Sequence, residues 1–432
     1  MSGRLVQRPG PAASAVFTGA RLLDPIAGIN EVADLVVRDG VIGGDPDGLE
    51  RVDAAGMVIV PGFVDPHVHL RTPGREDLED LASGSRAGAS GGYVAIAAMP
   101  NTQPPVDDAE DLTRLLELAE RDAVIPVGMI CAITKGQEGQ QLTDAAELAR
   151  IGAVALSDDG VPVGDAAVFR RALQYQHLAG LVLVLHEEDR ALSGTGAMHE
   201  GAVSARLGVS GIPAVSEAVA VGRDVLLARY ESGRIHICHV SARETVDEVR
   251  RGKQLGVAVT AEVSPHHLLL IDEDVESLDA ATRKMNPPLR GRDDREALIE
   301  ALLDGTIDCV ATDHAPHGAS EKEQPFEEAP FGVTGLETAF AALYTELVLT
   351  GRVSLEVLVR RMSGDAARVI DLPEPTLAEG APANLAVIDL EATWTVGADG
   401  FVSKSGNSAF LGRELTGRVQ ATIAGGQWAW RN

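Results

Sequence analysis

Pro66-His67-Val68-His69, closing the apolar run Val58 to Val68, is the stretch on which the fold of this chain turns. Alternate side chains of a strand point to one face, so His67 and His69 emerge side by side, close enough for both imidazoles to reach one metal ion. A His-x-His pair alone is at least as often an ordinary polar strand end, and zinc needs further N, S or O donors. If the pair is a half-site, other strand ends must complete it.

Such ends recur downstream. Apolar runs follow at Phe63 to Leu70, Tyr93 to Met99, Val124 to Ala132, Ala153 to Asp159, Leu181 to Glu188, Arg234 to Ser241, Val257 to Pro265 and Asp308 to Pro316, each ending in polar residues. They are rich in Val, Ile and Ala, and segments such as Ala109 to Ala119 and Ala214 to Arg229 lie between them at helical spacing. That pattern predicts a parallel (β/α)8 TIM-type barrel with strands buried on both faces. Active sites of that fold assemble at the C-terminal strand ends, where these polar residues collect.

The flanks read differently. Short alternating runs at Asp34 to Arg38 and Met57 to Val60, then Asn384 to Asp389 and Gly417 to Ile423 with the turn Gly425-Gly426, predict one small β-sandwich built from both termini. The expected division is a loose tail over 1–14, sandwich over 15–61, barrel over 62–378 and sandwich again over 379–432.

Composition narrows the function classes. A chain of 432 residues with 45% hydrophobic and 23% charged residues is globular and has room for a barrel plus a smaller domain. No apolar run approaches the roughly 18 residues that span a bilayer. Pro9, Gly10, Pro11 and Arg21 break up any leader-like apolar segment, so a cytoplasmic location is expected. Cys131, Cys238 and Cys309 are widely spaced in apolar runs and are expected as buried free thiols. A net charge of −27 argues against nucleic acid, and the acidic stretch Asp107 to Asp122 reads as the wet face of a helix. An anionic substrate would therefore need a local cluster of Arg, Asn or His.

The strand ends supply the donors. His186 follows the fifth run, His239 the sixth and Asp313 the eighth, while the fourth ends in Asp158-Asp159. Four histidines and two carboxylates from five strands would make two adjacent zinc-type sites bridged by a carboxylate. Asp158 and Asp159 face opposite ways on a strand, and the residues alone leave the choice between them open. Of the other histidines, His236 faces away from His239 and reads as a core or second-layer group, His177 and His199 as surface, and His314 as structural; His317 reads as a substrate contact. His266-His267 divides evenly between supporting the site and packing.

The series Gly62-Phe63-Val64-Asp65-Pro66-His67-Val68-His69-Leu70-Arg71, Ala98-Met99-Pro100-Asn101-Thr102, Ser157-Asp158-Asp159-Gly160, Glu262-Val263-Ser264-Pro265-His266-His267, Lys284-Met285-Asn286-Pro287-Pro288-Leu289-Arg290 and Ala311-Thr312-Asp313-His314-Ala315-Pro316-His317 resembles the type I dihydroorotases of the amidohydrolase superfamily. The likeness continues through Ala329-Pro330-Phe331-Gly332 and Ser405-Gly406-Asn407-Ser408. It implies two zinc ions per subunit: His67, His69 and Asp313 hold one, His186 and His239 the other, and Asp159 bridges them. It further implies that Asp313 is the catalytic acid and base, that Arg71, Asn101 and His317 bind the substrate carboxylate, and that His69, Asn286, Phe331 and Gly332 complete the pocket. Thr72 stands where the family often has an acidic residue.

The implied reaction is the reversible cyclisation of N-carbamoyl-L-aspartate to L-dihydroorotate in de novo pyrimidine biosynthesis, by a homodimer that associates in some cases with aspartate transcarbamoylase. Two alternatives are weighed. Dihydropyrimidinases, hydantoinases and allantoinases resemble this barrel but bridge their metals with a carboxylated lysine, and no lysine occurs between Lys135 and Lys253. A non-catalytic dihydroorotase-like subunit of aspartate transcarbamoylase would be expected to lose metal ligands, and all six are present. Finally, the long Glu/Pro/Gly-rich segment Gly318 to Gly335 reads as a lid over the site.

Overall fold

A computed structural model describes residues 3–279 and 281–432. Eight parallel strands lie in order around the barrel: β1 (Phe63–Val68), β2 (Tyr93–Ala98), β3 (Val127–Cys131), β4 (Ala155–Leu156), β5 (Leu183–Leu185), β6 (Arg234–Ile237), β7 (Ala258–Val263) and β8 (Cys309–Val310). Each falls inside one of the eight runs. Their apolar side chains are buried on both faces because helices cover the outside, among them Ala109–Asp122, Val215–Glu231 and Arg243–Gln254.

Acidic residues of the barrel helices divide between two local roles. In Ala109–Asp122 the residues Leu112, Leu115, Leu116 and Ala119 face the barrel and the acidic ones face water. Asp108, Asp144 and Asp165 cap helix N-termini by accepting from backbone N–H groups that would otherwise lack partners.

The ring is drawn together between β1 and β8. Val68 and His314 form an isolated parallel bridge, and the His69 N–H donates to the His314 carbonyl at 2.9 Å. Asp65, fully buried, accepts from the backbone N–H of His67 and from both the N–H and the hydroxyl of Thr312. One side chain thus ties the first strand to the last just below the metal-ligand candidates.

Both termini contribute to a single mixed sheet with its own apolar cluster, including Phe17, Leu35, Ile59, Leu385 and Ile423. The two halves meet where Val58–Pro61 pairs antiparallel with Leu385–Ile388. The Gly425-Gly426 turn links the last two strands, both glycines at positive φ. Chain passes from sheet to barrel at Gly62, where a Cβ would sit 2.1 Å from Val94 Cγ1, so no larger residue fits.

The loose tail expected over 1–14 is not what residues 3–14 form. Val6 is buried and pairs with Val127, and the N–H groups of Arg4 and Arg8 donate to Gly152 and Ala123. Val6 lies against the start of β3, opposite the candidate site, and farther along Ala13 N–H donates to the Gly426 carbonyl in the terminal sheet. No described helix is long and apolar enough to cross a membrane, and all three cysteines are free and buried.

Candidate metal centre

The six ligand candidates come together at the C-terminal strand ends, and all are buried. His69 Nε2 lies 3.1 Å from Asp313 Oδ1, and His67 Nε2 lies 3.6 Å from the same oxygen. On the other side His186 Nδ1 is 3.0 Å from His239 Nε2. Asp159 stands between the pairs: Oδ1 is 3.6, 3.8 and 3.9 Å from His67, His186 and His239, and Oδ2 is 3.7 Å from His69. Its neighbour Asp158 points away and accepts from the backbone of Ile133 and Thr134 and from the Thr134 hydroxyl. The choice that the sequence left open therefore falls on Asp159 as the carboxylate among the histidines.

Backbone conformation helps to aim these groups. His239 and Asp313 adopt positive φ, 32° and 49°, as does Arg71 at 55°. Such left-handed conformations are uncommon outside glycine and concentrate where function dictates side-chain direction.

The donor set fits a metal. His67 Nε2 and Asp159 Oδ1 are buried atoms with no hydrogen-bond partner, yet they face each other across a gap too wide for a bond. Tetrahedral zinc with bonds of about 2.1 Å would place its ligand atoms about 3.4 Å apart, close to the 3.1 to 3.7 Å separations among His67, His69, Asp159 and Asp313. His67, His69 and Asp313 form one convergent set, and His67, Asp159 and His239 another.

Outer partners set which ring nitrogen is free. His67 Nδ1 donates to Glu262 Oε1 at 2.7 Å, and the other oxygen of Glu262 is 3.0 Å from His236 Nε2, whose ring continues to Thr260 Oγ1 at 2.8 Å. His69 Nδ1 donates to Asn101 Oδ1 at 2.8 Å, while the Asn101 amide donates to Asp159 Oδ2 at 2.9 Å. With a metal bound, both bonds would leave Nε2 to face the centre with its lone pair. Burial raises the carboxyls of Glu262 and Asp159, but the neighbouring histidines outweigh it: Glu262 falls to about 2, and Asp159 lies below its ordinary value.

Glu262 had no assigned role beforehand, although an acidic residue inside a strand buried on both faces needs a partner, and that signal was available. His236 takes the second-layer place expected of it, and His314 is buried against Glu79. His267 supports the pocket, its Nε2 donating to the Pro287 carbonyl next to Asn286, and Ser264 Oγ lies between its ring and that of His266. His199, expected at the surface, is instead half-buried 3.2 Å from Arg290 Nη1.

A cavity of about 220 Å³ opens over the centre, and its walls include Arg71, Asn101, Asn286, His317, Phe331 and Gly332. Every residue expected to contact substrate lies on it. Arg71 Nε donates to the Pro316 carbonyl, and its Nη2 lies 3.2 Å from His317 Nε2. Burial lowers the Arg71 guanidinium to about 10, so it stays charged at neutral pH, whereas burial and the Arg71 charge push His317 down to about 3 and keep it neutral. The pocket thus has the cationic corner that a chain of net charge −27 needs to hold an anion. Gly332 is required: at φ 127° a Cβ would sit 2.7 Å from Ala315 Cβ.

Comparison with known proteins follows the same lines. The family model described as Dihydro-orotase-like matches residues 56–245. The dihydroorotase of Halalkalibacterium halodurans is 47% identical over 408 residues, covering 93% of this chain and 95% of that protein. That of Geobacter metallireducens is 43% identical over 422 residues, covering 96% and 99%. Among solved structures, an L-hydantoinase from Arthrobacter aurescens superposes with a TM-score of 0.86 at 25% identity over 97% of this chain and 96% of that one. A dihydropyrimidinase from Brevibacillus agri gives 0.84 at 21% identity over 97% and 95%, a likeness of fold alone. With a buried His/Asp cluster at the strand ends of this barrel, the chain belongs to the dihydroorotase family, cyclic amide hydrolases of the amidohydrolase superfamily.

Proposed function

We propose that this protein interconverts N-carbamoyl-L-aspartate and L-dihydroorotate in pyrimidine biosynthesis. The observation that carries the proposal is the buried carboxylate Asp159 set among four histidines beside a pocket with a charged arginine corner. His67, His69 and Asp313 would hold one zinc ion, His186 and His239 a second, with Asp159 shared. When bound, the two ions supply hydroxide near neutral pH and polarise the ring carbonyl.

The chain's own groups do the rest. Arg71, Asn101 and His317 take the substrate carboxylate, which orients the ring so that its amide carbonyl faces the centre. Asn286 and the backbone at Phe331-Gly332 close the pocket on the other side. Asp313 sits at the rim of the ligand cluster, 3.1 Å from His69. In ring opening it accepts the proton of the attacking water and delivers it to the departing amide nitrogen; in ring closure it takes the proton from that nitrogen. A homodimer in the cytoplasm is the assembly and location that go with this proposal, with aspartate transcarbamoylase as a candidate partner.

Replacing Asp313 with Ala tests the assignment. The expected result is a fall in kcat of at least about a thousandfold, the upper range for loss of a general acid and base. A near wild-type rate in that variant would sink it.

A further inference from the structure

Two of the five lysines in this chain, Lys284 and Lys322, are buried at 2% and 7% exposure in one place, beside the segment that carries Phe331 and Gly332. Buried ammonium groups are costly unless every donor is satisfied. Here the acceptors are backbone carbonyls. Lys322 Nζ donates to Ala281, Lys284 and Pro330 at 3.0, 3.1 and 2.8 Å, which uses all three of its N–H bonds. Lys284 Nζ donates to Phe326 and Glu327 at 2.6 and 3.0 Å and lies 4.4 Å from the centroid of the Phe331 ring.

The carbonyls they gather come from two separate stretches, 281–284 and 326–330, and the Gly332 N–H also donates to the Lys284 carbonyl at 3.0 Å. From the far side Asn407 donates to the carbonyls of Ala315 and Gly332 and accepts from the His317 N–H. Between these two anchors lie Phe331, whose carbonyl accepts from His317 Nε2 at 2.8 Å, and Gly332. The segment expected to behave as a lid is therefore stapled along its length.

We propose that Lys284 and Lys322 are positioning residues for substrate: the pair staples the 318–335 segment so that Phe331, Gly332 and His317 form a fixed wall around the bound acid. The proposal rests on the dihydroorotase reading above for the identity of the acid, and on hydrogen-bond geometry alone for the staple. Their loss should relax the wall without touching the metal ligands or Asp313, so binding suffers and chemistry is spared.

The test uses Lys284→Met and Lys322→Met, with Lys253→Met as a control that removes the same charge beside Asp308, at the opposite end of the barrel. Expected for each staple variant is a rise in KM for dihydroorotate of at least about tenfold, with kcat within about threefold of wild type and KM of the control unchanged. A loss of kcat at unaltered KM, the mark of a smaller folded fraction, would overturn it. A second measurement is independent of activity. A glutamate-specific protease should leave the wild-type segment intact and cut both staple variants at Glu321, Glu323, Glu327 or Glu328. Variants as resistant as wild type would overturn the staple; absence of dihydroorotate turnover in wild type would instead overturn the functional reading and leave the protease result to decide the staple.

Discussion

Glu262 is the side chain on which the metal-ligand geometry leans most. It meets His67 with one oxygen and His236 with the other, in a barrel interior where an unpaired carboxylate would be expensive. Its contribution is to hold a proton on His67 Nδ1 and so present Nε2 to the centre. Glu262→Gln keeps an acceptor for that proton but loses the charge, and the expected result is metal affinity lower by about ten- to a hundredfold, read by competition with a chromophoric chelator. Unchanged affinity would leave Glu262 a packing residue. Sequence pattern exposed the ligand candidates, since His67, His69, His186, His239 and Asp313 each lie at the end of an apolar run. It could not separate Asp158 from Asp159, because that choice depends on how the chain turns after β4, where Thr134 and two backbone N–H groups capture Asp158.

Elements carry the next level of control, and the β1–β8 seam is the clearest case. Thr312 donates its hydroxyl to Asp65 Oδ2 at 2.5 Å while its N–H lies 3.2 Å away, so one threonine and one aspartate join the strands that deliver His67, His69 and Asp313. Thr312→Val preserves shape and removes the hydroxyl, leaving a buried carboxylate oxygen short of a donor. A stability loss of about 1–3 kcal/mol is expected, seen as a lower thermal midpoint; an unchanged midpoint would show that the backbone bonds alone hold the seam. All eight barrel strands were legible because strands buried on both faces read as continuous apolar runs. The N-terminal segment was misread as loose, and the anchoring of the 318–335 segment went unseen, because the contacts concerned, Val6 on Val127 and the two lysines on carbonyls, are long-range and leave no local pattern.

For the whole molecule, the buried neutral histidines His267 and His317 each make a contribution to stability that is lost in acid. Burial lowers His267 to about 4, and His317 stands at about 3, against 6.5 when unfolded. At these two positions the unfolded chain takes up protons below pH 6.5 that the folded chain refuses, so their contribution to stability is full above that value and is lost as pH falls toward 4. Each such histidine costs about 1.4 kcal/mol per pH unit in this window. Thermal midpoints of metal-free protein measured from pH 7 to 4.5 should shift less unfavourably on acidification in His267→Gln, which retains a donor for the Pro287 carbonyl, than in wild type. Identical slopes in the two proteins would place the acid sensitivity elsewhere.

The central claim joins metal, pocket and substrate, and it is tested by following ring opening of L-dihydroorotate, dihydrouracil and allantoin on one preparation whose zinc content is measured before chelation, after chelation and after zinc is restored. The account predicts turnover of dihydroorotate alone, lost on chelation and regained as bound zinc approaches two per chain. Turnover of dihydrouracil or allantoin in its place, or dihydroorotate turnover indifferent to zinc, would contradict it.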